Sequence, residues 1–528
     1  MNAKKKLSLI ALACTGMLMA SCVNNPGEST TSTPENSSQA ASASAPASSS
    51  TRPADLTEKD LAKGITKYTT ETGVLANLTR SGIYAASGAP HVNSYPETGV
   101  KQKLLVAPIS FVKDPNDRQD NIVADQALLD KINMSFVGTD EEIKQASGSN
   151  ITSVKTFYER SSFGKGAFDV IVLPCWIEYN GTATAFRNSA GGQAGVAMSS
   201  YVKSWYIAEY AKENHGKLGA SWSYDWKDFD SDKDGYIDLV WQVYAYPYAD
   251  NSTDFWWAYV TYTGQSPNKA NPNIMTLAWA STRFMSDFNG YDPHTFIHET
   301  GHTLGVNDFY DYSNTWKPMG GIDFMDQNLG DHCAYTKFMY GWVNPYVLKE
   351  EDLADGKVAE ITLRAQTLTG DCLVLASPDY NGTAYDEYFM VELVGPYGLC
   401  ERDYKSGYSS VTGFTKPGLR ITHVDGRMYQ TDHNTPVYDH NLLGRNGGDT
   451  RVCNTPGGRI GIKHDTDFWP NEDGSVKTYF TEQSIIESNI DASNNWTVSP
   501  NFTANNGSLF VKNQRFTLTK NSGWAKTF

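Results

Sequence analysis

The sequence predicts an α+β (α/β) unit over residues 101–350, followed by a β-rich region over residues 351–528. Three observations predict it. The chain has 528 residues, too many for one core of ordinary size. Between residues 103 and 300, short apolar runs that suit buried strands alternate with helix-like stretches. After about residue 350, short β-rich runs alternate instead with Gly, Asn and Asp turns.

The segments before residue 101 are read as delivery rather than fold. Lys4, Lys5 and Lys6 precede an apolar stretch, Leu7 to Ala20, that is too short to span a bilayer as a helix. It ends Leu18-Met19-Ala20-Ser21-Cys22, similar to a bacterial lipoprotein box. Residues 1–22 are therefore expected to be a lipoprotein signal peptide with Cys22 as the lipidated residue. A plain secretory signal cut near Ser21 is the other reading. Both export the protein, to the bacterial cell surface or outer membrane as a lipid-anchored protein, or beyond it. Residues 23–54 are Ser, Thr, Ala and Pro with almost no large apolar groups, a composition that makes a disordered tether. Residues 55–100 carry Leu56, Leu61 and Ile65 at helical spacing before a Gly/Pro-rich passage, which reads as an N-terminal extension or short pro-segment.

Within the first unit, Leu104 to Phe111 and Phe168 to Leu173 read as buried strands, and residues 196–213 as helix. Ile237 to Tyr244 is apolar on both faces, as a central strand would be. Asp292-Pro293 predicts a helix start, Asp as N-cap and Pro at the first helical position. Further on, Glu360 to Leu363, Tyr388 to Leu393, Gly418 to Val424 and Arg515 to Leu518 read as strands. Seven cysteines include Cys14 in the leader and Cys22, leaving an odd five; a Cys372–Cys400 bridge stays open. The net charge of −15 repels phosphate backbones and argues against nucleic-acid binding.

The chemistry is concentrated in residues 298–308, His-Glu-Thr-Gly-His-Thr-Leu-Gly-Val-Asn-Asp. His298 and His302, four positions apart, share one helix face and can both reach a zinc ion at ~2.0–2.1 Å. Glu299 lies about 100° round the helix, poorly placed to ligate but well placed to take a proton from a water at the metal. A third ligand cannot come from a straight helix, because eight positions advance the chain ~12 Å. Gly305 can end the helix in a left-handed conformation and return the chain toward the metal, which brings Asp308 to the third position. Asp311 is the competing ligand. His294, one turn upstream, is expected to hold a supporting or surface position.

His298 to Asp311 (HETGHTLGVNDFYD) resembles the immune inhibitor A-type secreted bacterial zinc metallopeptidases, a metzincin-like family. Weaker likenesses run through Ser153 to Tyr158, Ser161 to Lys165, Asp326 to Asn328, Asp331 to Tyr335, Glu387 to Glu392 and Gly418 to Asp425, covering roughly residues 100–430. The resemblance implies a metzincin-like catalytic domain and endopeptidase activity on extracellular polypeptides or glycoproteins. It also implies a Met-turn whose thioether packs beneath the ligand histidines, with Met325 the first choice and Met319 the second. Tyr335 is the residue that would donate to the oxyanion. Family members carry a latency segment, yet residues 55–97 offer no Cys to block the zinc.

A second metal site is expected at Asp230-Ser-Asp232-Lys-Asp234-Gly-Tyr236-Ile-Asp238, which matches the first nine positions of an EF-hand-type loop. Asp230, Asp232, Asp234, the Tyr236 carbonyl and Asp238 would hold a structural Ca2+. The twelfth position is Trp241 instead of Glu, so this is not an EF-hand. Two other functions compete with the peptidase. Phe255-Trp256-Trp257 and thirty tyrosines fit a surface glycan- or glycoprotein-binding protein on an inactive protease scaffold, and the zinc motif alone also admits a non-peptide substrate.

Overall fold

The structure is a computed structural model. It describes residues 101–425 apart from 118, 148–151, 250–253, 288–289, 305, 307, 310–318, 350–360, 377–379, 381, 383, 385–386 and 407–410, together with 428–430, 436–438, 483–485 and 504–510. Cys22, Gly305, Asp311 and Arg515 to Leu518 lie outside the described residues.

Strand β1 (Lys103–Phe111) organises the first sheet, and its middle seven residues are all buried. It pairs in parallel with β2 (Asp169–Val172) and β3 (Ile177–Tyr179) on one side and with β4 (Leu239–Tyr244) on the other. Next to β4 comes the parallel β6 (Thr276–Ser281), and β5 (Tyr259–Tyr262) closes that edge antiparallel. A parallel sheet is covered on both faces, which is why β1, β4 and β6 read as continuous apolar runs. Alternation then sorts the side chains. Leu104, Val106, Leu239, Trp241 and Val243 enter one core, and Leu105, Ala107, Ile109, Val240 and Tyr244 the other.

Helices α1 (Gln126–Val137), α2 (Val154–Ser161) and α4 (His294–Thr303) pack into the first core through Phe136, Phe157 and Phe296. Helix α3 (Ala194–Tyr210) packs into the second through Met198, Val202 and Tyr206. The strands around residues 104–111, 168–173 and 237–244 are thus present within a residue or two of expectation. Thr276–Ser281 and Tyr259–Tyr262 were not anticipated.

The second sheet runs β11 (Gln483–Ile485), β10 (Gly418–Asp425), β9 (Glu387–Val394), β8 (Cys372–Ala376), β7 (Tyr346–Lys349), antiparallel except for β7 beside β8. Its first strand therefore begins before residue 350. One face, with Cys372, Val374, Tyr388, Met390 and Val424, joins the same core as α1, α2 and α4. The other carries Leu373, Phe389, Val391 and Ile421, with Ile361 and Leu363 packed against it. Residues 361–363 are not a strand: their alternating apolar pattern serves packing without a ladder. Cys372 and Cys400 are buried and are not joined to each other. The chain is α+β as expected. Among the described residues no helix is long and apolar enough to cross a membrane.

Candidate metal centre

Helix α4 begins one residue later than predicted, at His294, and Asp292 Oδ1 accepts the His294 backbone N–H at 2.8 Å. Pro293, not Asp292, therefore holds the N-cap position, although the Asp292 carboxylate still takes up the first N–H of the helix. The helix is anchored from below by two buried hydrogen bonds. The Tyr158 hydroxyl donates to the Ile297 carbonyl at 2.8 Å, and the Trp241 indole N–H donates to Thr300 Oγ1 at 2.9 Å.

On this helix His298 and His302 point the same way. His298 Nε2 lies 3.0 Å and His302 Nε2 3.2 Å from Asp308 Oδ1, so the three side chains converge on one point. The other ring nitrogens are occupied: His298 Nδ1 donates to the Phe324 carbonyl at 3.0 Å and His302 Nδ1 to the Val306 carbonyl at 2.8 Å. Backbone acceptors at Nδ1 fix the tautomer that leaves Nε2 to bind a metal. Two imidazole nitrogens and one carboxylate oxygen, within 4.8 Å of one another, form a donor set that fits zinc and leaves a position open.

The electrostatics are dominated by the mutual attraction of the two imidazoles and the carboxylate. Burial pushes the Asp308 carboxyl up, but His302 and His298 outweigh it and hold Asp308 well below the usual carboxylate range. Burial likewise disfavours the His302 imidazolium, yet Asp308 raises it to about 9. Glu299 is buried beside these groups and stays outside the converging set. Burial raises its pKa, opposed by His302 and His298. A raised carboxyl is a better proton acceptor at neutral pH.

Met325, on the short helix α5 (Phe324–Gln327), lies beneath α4. A Cβ on Gly301 would meet its sulfur at 2.8 Å, so a larger residue there would have to push the thioether aside. The Met325 carbonyl accepts from the Phe309 N–H at 2.8 Å, beside Asp308, and the preceding carbonyl is the one that holds His298. This turn thus touches the first histidine, the helix floor and the backbone of the residue after Asp308. Met319 is fully buried and belongs to the same core cluster as Met325 and Phe296 of α4. Tyr335 is buried on α6 (Ala334–Met339), its ring 6.5 Å from that of Phe309.

His294 is not at the surface. It is buried, hydrogen-bonded through Nδ1 to Asp292 and through Nε2 to Asp403 Oδ2 at 3.0 Å. Asp403 stands on α7 (Cys400–Ser406) and also accepts the Gly330 N–H at 2.8 Å. Burial disfavours the imidazolium, but Asp292 and then Asp403 hold its pKa up at about 10. The stability this gives is complete below the unfolded value near 6.5 and is lost as pH rises through about 10. Asp403→Ala is expected to cost about 3–5 kcal/mol at pH 7. Denaturant titration of both forms checks this, and the difference should shrink above pH 10.

At the acidic loop Asp230, Asp232 and Asp238 converge, while Asp234 is outside that set. Asp234 Oδ1 accepts the Tyr236 N–H at 2.8 Å, and the Tyr236 hydroxyl donates to the Gln265 carbonyl. Gly235 takes the bend at φ +101°. Asp238 accepts backbone N–H groups of Ser231 at 2.8 Å and Lys103 at 2.7 Å, tying the loop to the start of β1. Sequence reasoning missed Trp241, Tyr158, Asp403, Glu392 and Arg420. The signal for the last two was a lone charge inside an apolar β run. No protein-family model matches the chain, and no curated protein matches it significantly.

Proposed function

We propose that this chain is an exported zinc-dependent endopeptidase with a metzincin-like catalytic unit, acting on extracellular polypeptides or glycoproteins. The observation that carries it is the convergence of His298 Nε2, His302 Nε2 and Asp308 Oδ1 beside a buried Glu299 that takes no part in that set. A zinc ion there would polarise the scissile carbonyl and make water acidic enough to attack at neutral pH. Glu299 takes the proton of the attacking water and passes it to the leaving amine. The Phe324 and Val306 carbonyls hold the two rings in orientation, and Met325 sets the floor of α4 in the role of a Met-turn. Tyr335 is the donor assigned to the oxyanion, and Cys22 the lipid anchor. A binder on an inactive scaffold would have no use for the retained Glu299.

The test combines zinc content with casein cleavage. One equivalent of zinc and chelator-sensitive cleavage are expected; bound zinc with no cleavage would favour the surface binder.

Ca2+ is assigned to Asp230, Asp232 and Asp238, with Asp234 and the Tyr236 carbonyl completing the loop. Without a cation, burial, then Asp234, pushes Asp230 up to about 6, and burial pushes Asp238 up to about 7. A carboxyl whose folded pKa exceeds its unfolded value near 3.8 makes the fold lose stability as pH rises through that window, here about 4 to 7. Calcium removes the penalty, so its effect on Tm should grow over the same window. At a hundred times Kd the gain is about 2.7 kcal/mol. An unchanged Tm with calcium at pH 7.5 would rule the site out.

A further inference from the structure

The second sheet carries two buried ions that the chemistry above does not use, Glu392 on β9 and Arg420 on β10. They are direct register partners, and Arg420 Nε and Nη2 reach Glu392 Oε1 at 2.8 and 2.7 Å. Each then extends into the first unit. Arg420 Nη1 donates to the Ile322 carbonyl at 2.7 Å, three residues before Met325. Glu392 Oε2 accepts the N–H of Ala334, the first residue of α6, at 3.1 Å.

An ion pair this buried is weak evidence for stability, because well-packed apolar residues of similar volume do as well. What apolar residues cannot do is hold a backbone carbonyl and a backbone N–H at fixed points. The carbonyl held is in the turn whose next residues orient His298 through the Phe324 carbonyl, support Gly301 through Met325, and bind the Phe309 N–H beside Asp308. We propose that Arg420 and Glu392 are positioning residues of the zinc site, acting through the 322–327 turn and α6. This rests on the zinc-peptidase reading above. It also makes the second sheet a working part of the catalytic unit rather than an appended module.

The test uses the full chain with Arg420→Lys and Glu392→Gln. Lysine keeps a positive charge opposite Glu392 but has no second arm for the Ile322 carbonyl. Glutamine keeps an acceptor for the Ala334 N–H and removes the ion pair, giving a second variant should Arg420→Lys fail to fold. Zinc affinity is read by competition with a chromogenic chelator, alongside kcat and KM on a casein peptide and Tm of the zinc-free protein. The folded variants are expected to lose about 10–100-fold in zinc affinity and in kcat, with KM unchanged. A variant that melts earlier yet matches wild type in zinc affinity and kcat overturns the proposal and leaves a merely structural pair. Wild type that binds no zinc overturns the peptidase reading itself, and the positioning role with it.

Discussion

Glu299→Gln is expected to reduce chelator-sensitive proteolysis by about 10²–10⁴-fold while zinc content stays at the wild-type level. The separation follows from the geometry. His298, His302 and Asp308 make the converging set without Glu299, so removing its charge leaves the donor atoms where they are. Glutamine has the same shape and does not take up the proton. Stability should not fall, because burial already penalises the ionised carboxyl. A neutral amide at that position relieves this penalty, so Tm should be equal or higher. Three measurements on one preparation decide it: metal content, initial rate on casein, and Tm. Loss of zinc along with activity would place Glu299 among the ligands; unchanged activity would remove it from the chemistry.

The residues that were legible in the sequence are those whose chemistry depends on local spacing. His298, Glu299 and His302 follow from helical periodicity alone, and Asp230 to Asp238 from alternate acidic positions around a glycine. The central strand at Leu239–Tyr244 was legible because burial on both faces leaves no polar alternation. What could not be read is everything set by distant pairing. The acceptors that orient the two histidines are main-chain carbonyls of Phe324 and Val306, which have no side-chain signature. His294 looked like a supporting or surface residue because its second carboxylate, Asp403, is 109 positions away. The same holds for Trp241, whose indole links the strand after the acidic loop to Thr300 on α4. That bond gives the loop a physical link to α4, since Asp238 fixes the end of a strand whose Trp241, three residues later, reaches Thr300.

Asp308→Ala should be the most damaging single change to metal binding after loss of a histidine. The ion would keep two protein ligands instead of three. With about 10–16 kcal/mol for a four-ligand zinc site, one ligand accounts for about 3–4 kcal/mol, on the order of 10²–10³-fold in affinity. A second consequence appears without metal. Asp308 holds the His302 imidazolium up at about 9, so that pair stabilises the zinc-free fold fully below the unfolded value near 6.5 and is lost as pH rises through about 9. The zinc-free Tm difference between wild type and Asp308→Ala should therefore be largest at about pH 6 and should narrow toward pH 9.5. Asp311→Ala serves as the control, since it competes for the same role in the sequence. If Asp311→Ala loses zinc and Asp308→Ala does not, the third ligand is Asp311. If Asp308→Ala alone loses both zinc and the pH-dependent stability, one carboxylate oxygen both balances the imidazolium in the empty site and supplies the third ligand when the ion replaces that proton.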